Sequence, residues 1–208
     1  MIDIRDAVPA DIPAVARVHL LTQPEYFTST LGHALLTDFY SSFLAEDRLF
    51  VVAVDTDSSA IVGFAMGNWN GSRAEKKWEA ACRFRIVARL FLKCLALNPL
   101  ALSRAGRRLR ALFPGGKPSS PETGYAHLLS LGVLSGYRGR HIASDMIAAF
   151  EDRCRTSPPP PRLADWPPPK LCTIGAYKWN AAGCALYRRM GYEVFEETET
   201  KLKFRKEL

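Results

Sequence analysis

Cysteine is sparse and unpatterned: Cys82, Cys94, Cys154, Cys172 and Cys184 are odd in number and too far apart for a Cys-x-x-Cys motif. That argues against a disulfide framework and for scattered thiols in a reducing compartment. The four histidines are scattered as well, so the ligand spacing of a metal site is missing and no metal is expected. No run of about eighteen uncharged apolar residues occurs, which leaves no convincing transmembrane helix. Residues 1–13 lack a basic segment followed by an apolar one, so no secretory leader is expected and the expected location is cytoplasmic. No internal repeat is found.

What is present is an ordinary globular composition, 48% hydrophobic and 24% charged, over 208 residues. That length suits one domain with an insertion. The net charge of +7 is unevenly spread. Residues 71–120 hold twelve lysines and arginines against only Glu75 and Glu79, which leaves the remainder net acidic. A basic character confined to one segment points to a local anionic partner.

The hydrophobic pattern predicts a short strand over residues 2–5 and a helix after Asp11, its expected N-cap, with Pro13 in the first turn. A loop with Tyr26 and Phe27 follows, then a helix over residues 31–45. Strands over 49–54 and 60–67 form a hairpin around a polar turn. Residues 72–113 are helical in composition: Trp78, Cys82, Ile86, Leu90, Phe91, Cys94 and Leu97 form one apolar stripe, Arg85, Arg89 and Lys93 lie on another side, and a shorter basic helix follows Pro99. A Pro/Gly-rich exit loop leads to a long strand over 125–134. Residues 158–169 are a stiff proline-rich connector. Strands over 171–176, 193–195 and 201–204 frame a helix capped by Asn180 and stopped by Gly191.

Residues 131–147, LGVLSGYRGRHIASDMI, read as a strand, a tight turn and a helix. Amides at a helix N-terminus have no partner inside the helix. Together with the helix dipole, Arg138 and Arg140 they make an anion site suited to a phosphate. The stretch resembles motif A of the GCN5-related N-acetyltransferase (GNAT) family, Arg/Gln-x-x-Gly-x-Gly/Ala. It departs only at the fourth place, where His141 stands for Gly. Asn180-Ala181-Ala182-Gly183-Cys184-Ala185-Leu186-Tyr187, with Gly191-Tyr192 after it, is similar to the family's motif B.

The resemblance implies an α/β fold of the GNAT type: a mixed, mostly antiparallel sheet with helices on both faces. Residues 1–208 are then one domain, with 70–121 as a basic helical insertion between the third and fourth strands. It further implies that acetyl-CoA is the acyl donor. Its pyrophosphate would be held by Arg138, Gly139, Arg140, His141, Ala143 and Ser144. Its pantetheine arm would pair with the backbone of Leu131, Val133 and Ser135, and Asn180 would add to the cofactor site. A His at the fourth place must turn its side chain away from the phosphates. Tyr187 would protonate the departing thiolate, for which a phenol is suited; the same residue also fits as a core Tyr packing helix on sheet.

Many relatives carry a carboxylate at the position of Gly175, which cannot serve as a base. His127 is the alternative. Under strict alternation it shares a face with Val133, and it matches one of two strand histidines in the arylalkylamine acetyltransferase branch. It fits equally as a His hydrogen-bonded to a neighbouring loop. Ser130 and Tyr26 are weaker acceptor contacts.

The expected reaction is acetyl transfer to a primary amine of a small molecule, an amino sugar among the candidates. Alternatives are a protein N-terminal or Lys acetyltransferase, and a non-catalytic acyl-CoA-binding module docked to a membrane. The insertion could pack on the body or on a second subunit as a homodimer contact. It could also lie on an anionic membrane surface or help hold an anionic acceptor. Nucleic acid is not expected as a partner, because the arginines sit among large apolar residues and no recognised module appears.

Overall fold

In the computed structural model the described residues are 1–70, 72–96, 124–159, 164 and 169–208, with 89–96 described by backbone alone. Seven strands form one sheet: β1 (Ile2–Asp6), β2 (Phe50–Asp55), β3 (Ala60–Trp69), β4 (Tyr125–Val133), β5 (Leu171–Tyr177), β6 (Glu193–Glu197) and β7 (Lys201–Glu207). Their order is β1-β2-β3-β4-β5-β7-β6. All pairs are antiparallel except β4 with β5. That parallel pair is possible because a helical crossover, not a hairpin, joins its strands.

The helices are α1 (Ile12–Thr22), α2 (His33–Glu46), α3 (Ala74–Ala96), α4 (Ile142–Thr156) and α5 (Ala181–Arg189). They cover both faces of the sheet, as the sequence led us to expect. On one face Met146, Ile147 and Phe150 of α4 and Cys184 and Tyr187 of α5 pack on Leu128, Ile174 and Phe204. On the other, Val15, Leu36, Tyr40 and Phe43 of α1 and α2 pack on Phe50, Val52, Phe64 and Met66. The apolar stripe that opens the basic segment joins this second core. Trp78, Cys82 and Ile86 are buried against α2, with the Trp78 ring edge-on to Phe39 at 5.1 Å. The second basic helix and most of the proline connector lie outside the described residues.

Two expectations are corrected. Asp11 does not cap α1: its carboxylate takes the Val8 amide at 2.8 Å and both arms of Arg5, at 2.7 and 2.9 Å. That bidentate guanidinium holds the Asp11 carboxyl below the usual carboxylate range. The second correction concerns β4. Ser130 pairs with Met66 but Leu128 pairs with Gly67, so Leu129 is an extra, unpaired residue, a β-bulge. A bulge reverses the alternation beyond it. Ala126 and Leu128, then Leu131 and Val133, therefore face α4. His127 falls on the opposite face, with Ser130 and Gly132, and does not share the face of Val133.

β4 pairs with β5 only from Tyr125↔Leu171 to Leu128↔Ile174. Past the bulge the strands part. β4 continues along β3 as far as Val133↔Gly63, and β5 along β7 as far as Tyr177↔Lys201. The parting leaves one edge of β4 without a strand partner.

The close approach of α4 to the sheet depends on Gly67. A Cβ there would stand 2.3 Å from the His127 carbonyl oxygen and 2.4 Å from the Phe150 ring. Gly67→Ala is expected to cost about 2 kcal/mol or more. Urea unfolding should show a lower midpoint at unchanged slope; a midpoint equal to that of wild type would contradict this account of the packing.

Candidate active site

The chain leaves β4 through a 3₁₀ turn, Ser135–Tyr137, and enters α4 at Ile142. Gly139 (φ +78°) and His141 (φ +61°) are both left-handed. The first acceptor of the helix is the His141 carbonyl, which takes the Asp145 amide at 3.0 Å. The backbone amides of residues 139–144 donate to no described residue. They converge at the positive end of the α4 dipole, the geometry of an anion cradle.

The loop is braced from behind. The Tyr137 hydroxyl donates to Asp55 at 2.7 Å, which holds the Asp55 carboxyl below its ordinary range. The Arg140 guanidinium lies 5.3 Å over the Tyr137 ring. Arg138 Nε donates to the Val133 carbonyl at 3.3 Å.

A cleft of about 680 Å³ opens where β4 and β5 part. Of the residues singled out from sequence, Leu131, Val133, Arg138, Gly139, His141, Ala143, Ser144, Asn180 and Tyr187 border it. Ser135, Arg140 and His127 do not. Ser135 is an exposed part of the turn, and its carbonyl takes the Arg138 amide at 3.2 Å. Arg140 is occupied with Tyr137. His127 Nδ1 is 2.9 Å from Thr173 Oγ1, and burial lowers its pKa to about 4. It is a neutral strand histidine bonded to its neighbour on β5.

α5 sets the far wall. Asn180 Oδ1 accepts the Gly183 amide at 3.0 Å, and Gly191 (φ +83°) ends the helix. Tyr187 is 8% exposed, with Phe204 and Tyr192 edge-on at 5.6 and 6.2 Å. Burial pushes its phenol well up, aided by Tyr26 and Cys184, so the group stays a proton donor at any physiological pH.

Of the opposite wall, sequence reasoning had singled out only Tyr26. The end of α1 and the loop after it also contribute Thr22, Gln23 and Glu25, and the turn after β5 contributes Trp179. The rings of Tyr26, Tyr177 and Trp179 form a cluster with centroids 5.4 to 5.7 Å apart. Burial raises the Tyr26 phenol, and the nearby Glu25 carboxylate adds a little to that rise. The lining therefore combines an amide-rich loop with Arg138, a carboxylate, Glu25, near the aromatic cluster, and a second cation, Arg189. Gly175 borders it too, and a side chain there would meet nothing within 4 Å. The absence of a carboxylate at that position is not imposed by packing.

Behind Ser130, on the α1–α2 face, lies a buried polar group of side chains. His19 is 2% exposed and Tyr40 fully buried, and His19 Nδ1 is 2.5 Å from the Tyr40 hydroxyl. Burial alone lowers the His19 pKa to about 4.

Two predictions follow from these geometries. A side chain at a left-handed position costs about 1 kcal/mol that glycine avoids, so His141→Gly should raise unfolding stability by a fraction of that amount. A loss of stability would show instead that the imidazole makes a compensating contact. For His19, the folded pKa lies below the unfolded value of about 6.5, so the unfolded chain binds the extra proton. Its contribution is complete above pH 6.5 and is lost as the pH falls toward 4, by about 2 kcal/mol between pH 7.5 and 5. An NMR titration should find the ring still neutral at pH 5; protonation near 6.5 would overturn the burial argument.

Among the described residues no helix is long and apolar enough to cross a membrane, and no His, Cys, Asp and Glu group could hold a metal ion. No curated protein matches the sequence significantly. The fold resembles PaiA N-acetyltransferase from Thermoplasma acidophilum in complex with coenzyme A, with TM-score 0.58 and 14% identity over 100% of this chain and 99% of that one. It also resembles Ard1 from Thermoplasma volcanium, with TM-score 0.57 and 15% identity over 100% and 97% of the two chains. For the ribosomal-protein-S18-alanine N-acetyltransferase from Escherichia coli the values are 0.56 and 10%, over 100% and 94%. Identities this low speak for a shared fold alone. The sequence model of the Acetyltransferase (GNAT) family, however, matches residues 16–192. That span holds both the amide-lined loop and the capped helix of Tyr187, and the chain belongs to the GNAT family of acetyltransferases.

Proposed function

We propose that the protein transfers an acetyl group from acetyl-CoA to the primary amine of a small molecule, with an amino sugar or an arylalkylamine as candidate acceptors. The observation that carries this reading is the polarity of the cleft between β4 and β5. Unpaired amides stand at one end, a strand edge without a strand partner runs along its length, and Glu25 lines it close to the aromatic ring of Tyr26. These residues fit coenzyme A. The amides of residues 139–144, with Arg138, suit a diphosphate. The edge of β4 at Leu131 and Val133, which has no strand partner and whose carbonyls are met among the described residues only by the Gln23 and Arg138 side chains, suits the amides of a pantetheine arm.

Acetyl-CoA supplies an activated thioester. Every other contribution in this mechanism belongs to the chain or to solvent. A backbone amide of β4 in the Leu131–Val133 stretch receives the carbonyl oxygen as negative charge builds on it. The amine gives its extra proton to solvent before its lone pair attacks; Tyr187 gives its hydroxyl proton to the departing sulfur, and the proton that the nitrogen sheds as the amide forms passes through solvent to restore the phenol, which burial keeps protonated. Glu25 at the lip attracts a cationic amine, and the rings of Tyr26 and Trp179 cover its hydrocarbon part. His127 has no part in this mechanism.

A second reading, acetylation of a protein N-terminus, draws on the open lip, where Trp179 is 57% exposed and a peptide would have room to leave the cleft. Dimer or membrane contact through residues 70–121 would engage the outer side of α3, where Phe84 is 85% exposed.

Thiol release from acetyl-CoA should depend on added amine when 2-phenylethylamine, glucosamine and an Ala-leading peptide are compared. Tyr187→Phe should lower kcat about 100-fold while the KM for acetyl-CoA changes little. No affinity for acetyl-CoA would sink the proposal, and turnover of the peptide alone would move the acceptor to the second reading.

A further inference from the structure

A chain of polar groups runs from the cleft into an otherwise aromatic core. Gln23 Nε2 donates to Ser130 Oγ and to the Leu131 carbonyl, both at 3.1 Å. Ser130 Oγ lies 3.3 Å from the Tyr40 hydroxyl, which lies 2.5 Å from His19 Nδ1. His19 Nε2 is 3.0 Å from Thr28 Oγ1. Around these groups stand Phe39, Phe50 and Phe64. Burying an imidazole and a phenol there is costly unless each finds its partner. Ser130 and Gln23 border the cleft, and Ser130 owes its place on this face to the bulge at Leu129.

The direction of the chain follows from the chemistry of its members. His19 is neutral, since burial lowers its pKa to about 4, and so offers one N–H and one lone pair. A phenol is a better donor than an imidazole N–H, and an imidazole nitrogen a better acceptor than a phenol oxygen. Tyr40 therefore donates to Nδ1, and Nε2–H donates to Thr28. The Tyr40 oxygen is then left to accept, and the nearby hydroxyl able to supply it is Ser130. Gln23 Oε1, 3.5 Å from Ser130 Oγ, is the other acceptor within reach of the Ser130 proton, but the Tyr40 oxygen is nearer at 3.3 Å and has no other donor among the described residues. With its proton engaged by Tyr40 and one lone pair by Gln23 Nε2, Ser130 has one lone pair remaining for the cleft.

We propose that Ser130 is the residue that receives the N–H of the acceptor amine, and that His19 and Tyr40 are positioning residues that hold its hydroxyl in the accepting orientation. This rests on the acetyl-transfer reading above. An accepting oxygen selects amines over alcohols lacking a second hydrogen to give, and it aims the nitrogen lone pair away from Ser130. Removing the Tyr40 hydroxyl frees the Ser130 proton, so that the cleft would present a donor where an acceptor is needed.

The test uses the whole protein with acetyl-CoA and 2-phenylethylamine. Ser130→Ala should raise the KM for the amine about fivefold, the effect of one hydrogen bond between neutral groups, with the KM for acetyl-CoA within twofold of wild type. Tyr40→Phe should do the same, and the double variant should be no worse than Ser130→Ala alone, because the two act through one oxygen. Ser130→Thr, which keeps the hydroxyl, should restore amine affinity; this pair of variants decides the matter if Tyr40→Phe fails to fold. An unchanged amine KM in Ser130→Ala, effects that multiply in the double variant, or an equal shift in the KM for acetyl-CoA would each overturn the proposal. Wild type that neither binds acetyl-CoA nor acetylates the amine would instead remove the underlying activity, and this role with it.

Discussion

The whole arrangement depends on the point where two parallel strands stop pairing. Hydrogen bonding between β4 and β5 ends at Leu128 and Ile174, and the extra residue Leu129 bends β4 away. An unpaired strand edge inside a protein is ordinarily a liability, because backbone amides and carbonyls must be satisfied. Here the edge opens on a cleft, where a ligand with amides of its own can complete the pairing. The loop, the helix dipole and the phenol then fall into line along that opening.

Backbone and side-chain groups divide the cleft. At the loop end the donors are mostly backbone, fixed by left-handed turns at Gly139 and His141 and by the brace from Tyr137 to Asp55. Donors that are already oriented need not be reorganised when an anion arrives. At the lip the groups are side chains, Glu25, Tyr26 and Trp179, drawn from two separate loops. Under the proposed function, binding of a constant cofactor would rest on backbone and choice of acceptor on side chains that substitution can change.

The face turned toward α1 and α2 carries a different logic. An aromatic core has been opened to admit His19, Tyr40 and Gln23, and each polar atom on that path has a partner. Such a network is rigid because its alternatives are expensive. Its reach from Thr28 to Ser130 links the first loop of the chain to its central strand, joining segments that are remote in sequence.

Most of the fold was legible in the amino-acid order. Alternation, caps and turn residues locate six of the seven strands within a residue or two, and the anion loop and the Tyr187 helix stand out because their determinants are local: Gly139 in its turn, Asn180 at its cap, Gly191 at its end. What stayed hidden was decided by pairing at a distance. The bulge at Leu129 exists because β3 and β4 shift register, and nothing in the residues around it announces that shift; it moved His127 to the other face and brought Ser130 beside Tyr40. His19 lies among Val15, Ala16 and Val18 on the buried face of α1, and only the closing of α2 and β4 over it gives its ring a partner. Periodicity reports which way a side chain points along its own element. Only the packed sheet and helices decide what it meets there.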